Sequence, residues 1–345
     1  MNRKIIIGDI HGCFAELTEL LHQVGVSADD HILGIGDAVD RGPDSVKVLE
    51  FLRARPNTLA LVGNHERKHL RGIYSYSQEI TKLQFGAAYA DAVVWMSTLP
   101  YFIEVEEAII VHAAMLPGVP LREQRPEVLC GSTSGEKFLA QELNGQPWYE
   151  RYEGPKPIIF GHHVYSEGPF IHRDLAFGID TGACHGGSLT AIVLPEFKLY
   201  SVKARDNYWS QEKHEWRAKV LQARPWEDMD WAQLRTELRR CRRLLEDDSP
   251  EAVDSLKQWV EQSEALLRQV LDAVEQEYSR WESIQDRREF ALQVKDHPLA
   301  TLLFLRRTER LNQEVLKRAC SSPRKLFLIA RSIGLKTPAI PVGRT

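Results

Sequence analysis

The sequence has 345 residues, of which 43% are apolar and 27% are charged, with a formal net charge of −4. This composition is typical of an ordinary folded protein and excludes a disordered or fibrous chain. The five cysteines show no CxxC spacing, so we expect reduced, buried thiols and no disulfide framework. No apolar stretch is long enough for a bilayer span or a signal-peptide core, so we expect a cytoplasmic protein without a membrane partner.

Residues 1–206 alternate short β-branched segments with helical patterns. Eight segments predict strands: "KIIIGD", "HILGIGD", "TLALVGN", "AIIVHA", "PIIFGH", "LAFGIDTG", "LTAIVLP" and "KLYSVKA". Short strands with helices between them are typical of a layered α/β domain. Four of the segments end directly on Asp, Asn or His, and "AIIVHA" has His as its last residue but one. Open α/β sheets usually bind their ligands at that edge.

From residue 207 the strand pattern stops and charged helical patterns follow. Ser249 is a predicted N-cap, with Pro250 at the first helical position and Glu251 in the first turn. Apolar residues then recur at intervals of three and four, which predicts a long amphipathic helix: Leu256, Trp259, Val260, Leu267, Val270, Leu271, Val274, Tyr278 and Trp281. We therefore predict two domains, an α/β domain at 1–206 and a helical domain at 207–345.

The end of the helical half is basic, because residues 306–345 hold ten basic and two acidic residues. Such a segment either binds nucleic acid or an acidic partner, or forms a solvated helix face. Two hypotheses for this half stay open. In one it recruits RNA or a protein partner, and in the other it is an oligomerisation element or a lid.

Six polar residues stand at or just after the predicted strand ends, where they are expected to converge on one sheet edge: Asp9, His11, Asp37, Asn64, His112 and His162. Carboxylate, amide oxygen and imidazole suit manganese, iron(II) or zinc. We interpret Asp37 as the bridge between two divalent ions, most simply manganese, with Asp9 and His11 on one ion. Asn64, His112 and His162 are then expected on the other ion. Such a pair activates a bridging hydroxide for phosphoryl chemistry.

Three further residues are predicted to handle the phosphate and the leaving group. His65, beside Asn64, is the candidate general acid, and Asp40 is expected to orient its imidazole. Arg41 is expected to grip two phosphate oxygens in a bidentate fork. Asn64 and His65 are also expected to lie against the substrate phosphate.

The motifs "GDIHG", "GDAVDRG", "GNHE", "VHA" and "GHH", in this order, resemble the signature of the phosphoprotein-phosphatase family of calcineurin-like metallophosphoesterases. The resemblance covers residues 1–206 and implies a β-sandwich flanked by helices, a four-layer α/β/β/α fold, with a dinuclear metal centre. It implies the same ligands and the same acid pair as above. A second phosphate-gripping arginine, present in many members, has no match in the motifs.

The later segments are most similar to the bacterial branch of that family. This branch includes diadenosine-tetraphosphatase-like enzymes, small protein phosphatases and the phosphatase module of polynucleotide kinase-phosphatase. The sequence therefore predicts a metal-dependent phosphoesterase that resembles serine/threonine-protein phosphatases or acts on a polynucleotide or nucleotide, with a dinucleoside polyphosphate as the alternative substrate. The alternative is a phosphatase-like binding module whose helical domain recruits RNA or a protein.

Overall fold

The computed structural model describes residues 2–245 and 250–341. The chain forms two compact units, Met1–Val220 and Leu221–Thr345. The first unit extends beyond the last strand because the following helix packs on it: the Tyr208 hydroxyl donates to Glu16 at 2.7 Å, and Gln84 donates to Glu212 at 3.0 Å. None of the helices in the described ranges is long and apolar enough to cross a membrane.

The strands belong to the first unit. Within the described residues there are eleven, β1 to β11 in chain order: Lys4–Ile7, His31–Gly34, Thr58–Ala60, Phe102–Glu104, Ile109–Val111, Ile158–Phe160, Phe170–His172, Ala176–Gly178, Asp180–Thr181, Ser188–Leu194 and Lys198–Lys203. One sheet has the order β11-β10-β1-β2-β3, with β9 paired to β10, and the second has the order β4-β5-β6-β8-β7. All eight predicted strand segments are observed, and the short strands β4 and β7 are additional.

Side-chain alternation along the strands builds the layers. Ile6 and Ile110 meet in a buried cluster shared by the two sheets, whereas their neighbours Ile5 and Val111 point into two outer clusters. The outer clusters contain helical residues such as Leu17 on one side and Val128 on the other. The result is the expected α/β/β/α sandwich, because a period of two gives each strand two buried faces.

The helices of the first unit are α1 to α8: Phe14–Val24, Ser45–Ala54, Asn64–Leu70, Tyr76–Phe85, Tyr89–Met96, Pro126–Leu129, Thr133–Glu142 and Tyr208–Glu215. Helix α9, Arg217–Ala223, crosses the boundary between the units. The second unit contains α10 to α15: Trp231–Leu245, Pro250–Tyr278, Arg287–Val294, Ala300–Arg307, Gln313–Ala319 and Pro323–Ser332. Four short 3-10 helices complete the described part: Gly86–Ala88, Leu121–Glu123, Trp148–Glu150 and Ala183–His185.

The second unit has its own apolar core. The predicted amphipathic helix is observed as α11, and its residues Leu256, Trp259 and Leu267 are buried among the surrounding helices. Trp281 lies beyond the helix end and packs against this core from outside. The predicted N-cap Ser249 lies outside the described residues.

Several cations of the basic segment are paired within the second unit. Arg306 Nε lies 2.5 Å from Glu275, Lys317 Nζ lies 2.8 Å from Glu264, and Arg324 is paired with Asp228. This pairing reduces the positive field that the composition alone indicates. An RNA or protein partner for this unit stays a prediction.

The parallel strands position the polar residues of the first unit. Strands β1, β2 and β3 are parallel to one another in one sheet, and strands β5, β6 and β8 are parallel to one another in the other. Asp9 and His11 follow β1, Asp37 follows β2, and Asn64 follows β3. His112 and His162 follow β5 and β6 directly or within two residues. Because these strand ends meet between the two sheets, the side chains converge there.

Candidate metal centre and active site

Two groups of candidate ligand atoms meet at this edge. His11, Asp37 and His65 form one group, and Asp37, His112 and His162 form the other, with all ligand atoms of a group within 4.8 Å of one another. Asp37 belongs to both groups and is only 2% exposed. A carboxylate shared by two groups of ligands is the arrangement that a bridge between two ions requires.

The second group presents lone pairs to a common space. His112 donates from Nδ1 to the Ile35 carbonyl at 3.0 Å, so its Nε2 is left as an acceptor, 3.1 Å from Asn64 Oδ1. His162 is tied in the same way by Glu136, which is 3.0 Å from Nε2, and its Nδ1 faces Asn64 Oδ1 at 3.0 Å. Acceptor atoms this close repel one another unless a cation lies between them. These residues therefore fit a metal ion.

In the first group, His11 is oriented in the same way, with one ring nitrogen bound to the backbone and the other directed inward. His11 Nδ1 donates to the Val39 carbonyl at 2.8 Å, so its Nε2 points inward, 3.5 Å from Asp37 Oδ2. The Arg41 guanidinium donates to this same Nε2 at 3.0 Å. A cation thus already faces the lone pair of His11, which is the electrostatic role that a metal would have there.

Asp9 lies close enough to Asp37 for their charges to interact, but it belongs to neither of the two groups of ligand atoms. It is 4% exposed, and its Oδ1 accepts a hydrogen bond from the backbone of His162 at 3.3 Å. Burial raises the pKa of the Asp9 carboxyl well above its ordinary value, and Asp180 and Asp37 raise it further. A bound cation would relieve this crowding of negative charge.

Asp180 is a buried carboxylate that the sequence reasoning missed. It follows β8 in "GIDTG", and burial together with the charge of Asp37 raises its pKa to about 6. The rule that identified the other ligands, a polar residue at a strand end, applied to it as well. The segment "LAFGIDTG" is predicted as a strand, and Asp180 begins the short strand β9 within it, but this residue is not among the predicted site residues.

His11, His112 and Asp37 have the ionisation states that metal ligands need. Burial lowers the pKa of His112 to about 4 and that of His11 well below its ordinary value. Burial would raise the pKa of Asp37, but His112, His65 and His11 outweigh it and hold that pKa well below its usual range. Neutral imidazoles around an ionised carboxylate are the forms that coordinate metals.

Backbone strain is concentrated at the same place. His11, Asp37, Asp40, Arg41 and His162 all have positive φ angles, between 45° and 73°. Each such conformation costs a non-glycine residue about 1–3 kcal/mol, and strained residues cluster at active sites and ligand clamps. Five of the residues identified from the sequence therefore adopt a backbone that serves to aim their side chains.

Glycines allow the strand-end loops to approach the carboxylates. A Cβ on Gly63 would collide with the side chain and backbone of Asp37, and one on Gly161 would collide with Asp9 Oδ1. Only glycine leaves room for the two carboxylates at these points.

His65 is in contact with Asp40, as a general-acid role for His65 would require. Its Nδ1 lies 2.6 Å from Asp40 Oδ2, and its Nε2 is buried and has no hydrogen-bond partner among the described residues. That Nε2 lies 3.9 Å from Asp37 Oδ2. The orphaned atom is therefore directed at the space beside the candidate bridge, where a substrate phosphate would lie.

Asp40 and the loop of Asp37 are held by residues that the sequence reasoning missed. His69 Nε2 lies 2.9 Å from Asp40 Oδ1, and the Gln78 amide donates to Oδ2. Glu66 accepts from the backbone nitrogens of Asp37 at 2.8 Å, Ala38 at 2.9 Å and Gly63 at 2.9 Å. Glu66 is the last residue of the "GNHE" motif, so the sequence contained a signal for it. His69 and Gln78 had no comparable signal.

Two cavities border the candidate centre on either side of His162 and Glu136. The aromatic cavity, about 460 Å³, is lined chiefly by Trp148, Tyr149, Phe160, His162, His163 and Tyr165. The basic cleft, about 340 Å³, is lined chiefly by Asn64, Arg67, Lys68, Arg71, Ser132 and His162. Both open against candidate metal ligands, so a molecule bound at the centre would extend into one or both.

Residues 3–199 match the family model described as calcineurin-like phosphoesterase. The match spans strands β1 to β10, the loops between them and every candidate ligand described above. The chain therefore belongs to the calcineurin-like phosphoesterase family and is a metal-dependent phosphoester hydrolase.

Among its relatives are proteins named bis(5'-nucleosyl)-tetraphosphatase PrpE [asymmetrical]. The one from Bacillus mycoides is 29% identical over 234 residues, covering 57% of this chain and 92% of the relative. That from Geobacillus thermodenitrificans is 29% identical over 235 residues, with the same coverage. A crystal structure assigned provisionally as a diadenosine tetraphosphatase aligns with 59% of this chain and 94% of its own, at 28% identity and a TM-score of 0.49.

Proposed function

We propose that the protein is a two-metal phosphoester hydrolase. Asp9, His11 and Asp37 would hold one divalent ion, and Asp37, Asn64, His112 and His162 the other. The observation that supports this most directly is the convergence of Asn64 Oδ1, His112 Nε2 and His162 Nδ1. The other ring nitrogen of each histidine already contacts the Ile35 carbonyl or Glu136. The mixed oxygen and nitrogen donors suit manganese, with iron and zinc as alternatives. When bound, such ions supply Lewis acidity toward phosphate and an activated water.

The remaining residues of the centre handle phosphate and proton. With a metal bound to His11, the Arg41 guanidinium would no longer donate to His11 Nε2 and would instead bind the phosphate oxygens. Asn64 and His65 would contact the same phosphate. As the bond from phosphorus to the leaving oxygen breaks, His65 would give the Nε2 proton to that oxygen. Asp40 would keep Nδ1 protonated and stabilise the charged imidazole, as their 2.6 Å contact allows.

For the substrate we propose a dinucleoside polyphosphate. Two observations support this choice over a phosphoprotein or a nucleic-acid end. The relatives in the comparison are named bis(5'-nucleosyl)-tetraphosphatases. In addition, the aromatic cavity borders His162, and its wall includes the half-buried rings of Tyr149 and Tyr165, against which a nucleobase would stack, a contact of about 1–3 kcal/mol per base.

Side-by-side hydrolysis tests this proposal. The full chain, loaded in turn with manganese, iron(II) and zinc, is assayed on diadenosine tetraphosphate, a phosphoserine peptide, a 2',3'-cyclic nucleotide and p-nitrophenyl phosphate. We expect the highest kcat/KM for diadenosine tetraphosphate, and a loss of at least about a hundredfold in Asp37→Asn. Tyr149→Ala should raise the KM for diadenosine tetraphosphate more than that for p-nitrophenyl phosphate.

The outcomes separate the substrate from the chemistry. A preference for the peptide or the cyclic nucleotide would replace the dinucleoside substrate and leave the metal mechanism standing. Full activity of Asp37→Asn on all four compounds would overturn the mechanism itself. Asp91→Asn, an exposed carboxylate on α5, is the control for a general effect of removing one negative charge.

A further inference from the structure

We propose that the basic cleft binds the phosphate groups of the substrate that are not being hydrolysed, and that it thereby selects a polyphosphate chain over a phosphate monoester. This inference rests on the proposed function, because it assigns the recognition of the chain to residues outside the metal centre. The residues are Lys68 and Arg71, with Arg67 as a fixed neighbour.

The lining of the cleft carries a positive charge, which favours the binding of an anion. Three cationic side chains line it, and the lining carboxylate of Glu136 is hydrogen-bonded to His162. Arg67 is paired with Glu127 and donates to the Tyr101 hydroxyl at 2.9 Å. The cleft therefore keeps a positive excess close to the candidate centre.

Lys68 and Arg71 supply that excess. In the part of the chain that the structure describes, neither side chain makes a hydrogen bond or a salt bridge, although Arg71 lies near enough to Glu127 to interact with its charge. Both stand one turn or more beyond Asn64, on the helix α3 or at its end. Helix α3 thus presents a candidate metal ligand at its start and two available cations farther along the same wall.

Other residues of the cleft lining add neutral hydrogen-bonding groups. Ser132, Thr133 and Ser134 line the cleft, and Ser132 is the N-cap of α7. The amino end of that ten-residue helix carries a partial positive charge, which adds to that of the cations. Hydroxyls that share a cleft with lysine and arginine match a chain of phosphate oxygens, which are acceptors along its whole length.

The position of the cleft specifies which phosphates it would hold. Asn64 and His162 belong both to the candidate metal centre and to the cleft wall. His162 lines both this cleft and the aromatic cavity, so the rest of a substrate bound at the centre has room in either. A dinucleoside polyphosphate has both kinds of group to offer, namely further phosphates and a base, whereas a monoester has no charged group for the cleft.

Kinetic comparison of two substrates tests the inference. In Lys68→Ala and Arg71→Ala, we expect the ratio of kcat/KM for diadenosine tetraphosphate to kcat/KM for p-nitrophenyl phosphate to fall about tenfold, through KM, which corresponds to one charge-assisted contact. Lys68→Arg should recover most of the ratio, because it keeps the charge. Lys137→Ala and Arg122→Ala, exposed cations that line neither cavity, are the matched controls.

A binding measurement makes the test independent of turnover. Inorganic tripolyphosphate is titrated into the metal-free full chain by calorimetry, at low and at moderate salt. Its dissociation constant should rise severalfold in Lys68→Ala and Arg71→Ala, and salt should weaken the wild-type binding. Orthophosphate should bind more weakly and respond less to either substitution.

The results distinguish this inference from the proposed function. If the wild type hydrolyses both substrates but neither variant changes the ratio or the tripolyphosphate affinity, the cleft has no role in chain recognition. A larger loss on an acidic phosphopeptide than on diadenosine tetraphosphate would also overturn it. If the wild type hydrolyses no substrate, the proposed function fails, and the titration still decides whether the cleft binds polyphosphate.

Discussion

The Nδ1 atom of His65 lies 2.6 Å from Oδ2 of Asp40, and both side chains are buried. The carboxylate also contacts His69 and Gln78, so its position is fixed from three sides. Burial would raise the pKa of Asp40, but its hydrogen bonds to His65 and His69 hold that pKa well below its ordinary value. An ionised carboxylate against Nδ1 keeps the opposite nitrogen, Nε2, available for proton transfer.

The first prediction is that Asp40→Asn impairs turnover according to the leaving group. An alkyl phosphate needs a proton on its departing oxygen, whereas p-nitrophenolate departs readily without one. We expect kcat to fall by about 10²–10⁴ for the alkyl phosphate, the usual contribution of general acid catalysis, and by much less for p-nitrophenyl phosphate. Steady-state kinetics on both esters measures the difference.

His65→Asn should show the same dependence on the leaving group. Asp206→Asn, which changes an exposed carboxylate elsewhere in the first unit, should leave both rates unchanged. Equal losses on the two esters in Asp40→Asn would mean that Asp40 supports the site structurally and has no part in proton donation.

The second prediction concerns Glu66, whose carboxylate accepts hydrogen bonds from the backbone of Asp37, Ala38 and Gly63. Glu66→Gln puts an amide nitrogen where an oxygen accepts, so at least one buried donor loses its partner. We expect a loss of about 1–3 kcal/mol in the free energy of unfolding. Chemical denaturation measures it, with Glu50→Gln, an exposed residue on α2, as the matched control. A loss no larger than that of the control would show that the loop does not depend on these hydrogen bonds.

The third prediction is that divalent metal stabilises the first unit through Asp37. An ion that binds only the folded state adds about 2.7 kcal/mol when its concentration is a hundred times its dissociation constant. We expect manganese to raise the unfolding temperature of the wild type and chelator to reverse the shift. Asp37→Asn should show little response, since it removes charge from both candidate ion sites, whereas Asp91→Asn should respond as the wild type does. A full response of Asp37→Asn would place the bound ion elsewhere.

The candidate ligands could be predicted because the chemistry lies in short segments at strand ends. Asp9, His11 and Asp37 each follow an apolar strand within a few residues, so the parallel topology alone brings them to one edge. Asp180 obeys the same rule and was within reach of the same reasoning. The positive φ angles of His11 and Asp37 add a local signature that only coordinates reveal.

The supporting residues could not be predicted, for a physical reason. His69 and Gln78 stand on helices α3 and α4, and they reach Asp40 only because those helices pack on one another. Helical periodicity identifies a buried face but does not say which buried polar group meets which. The cleft cations Lys68 and Arg71 likewise look like ordinary surface charges in the sequence. Only the structure shows that they line the same cleft as Ser132.

The fourth prediction concerns the helical unit. Leu267 of α11 is fully buried in its core, whereas Leu292 of α12 is 68% exposed, and the two side chains are identical. Leu267→Ala removes apolar contacts and leaves a cavity, so we expect a cost of about 2–5 kcal/mol in the free energy of unfolding. Leu292→Ala should cost less than about 0.5 kcal/mol. Denaturation followed by the helical circular-dichroism signal compares the two, and equal costs would mean that α11 does not anchor this core.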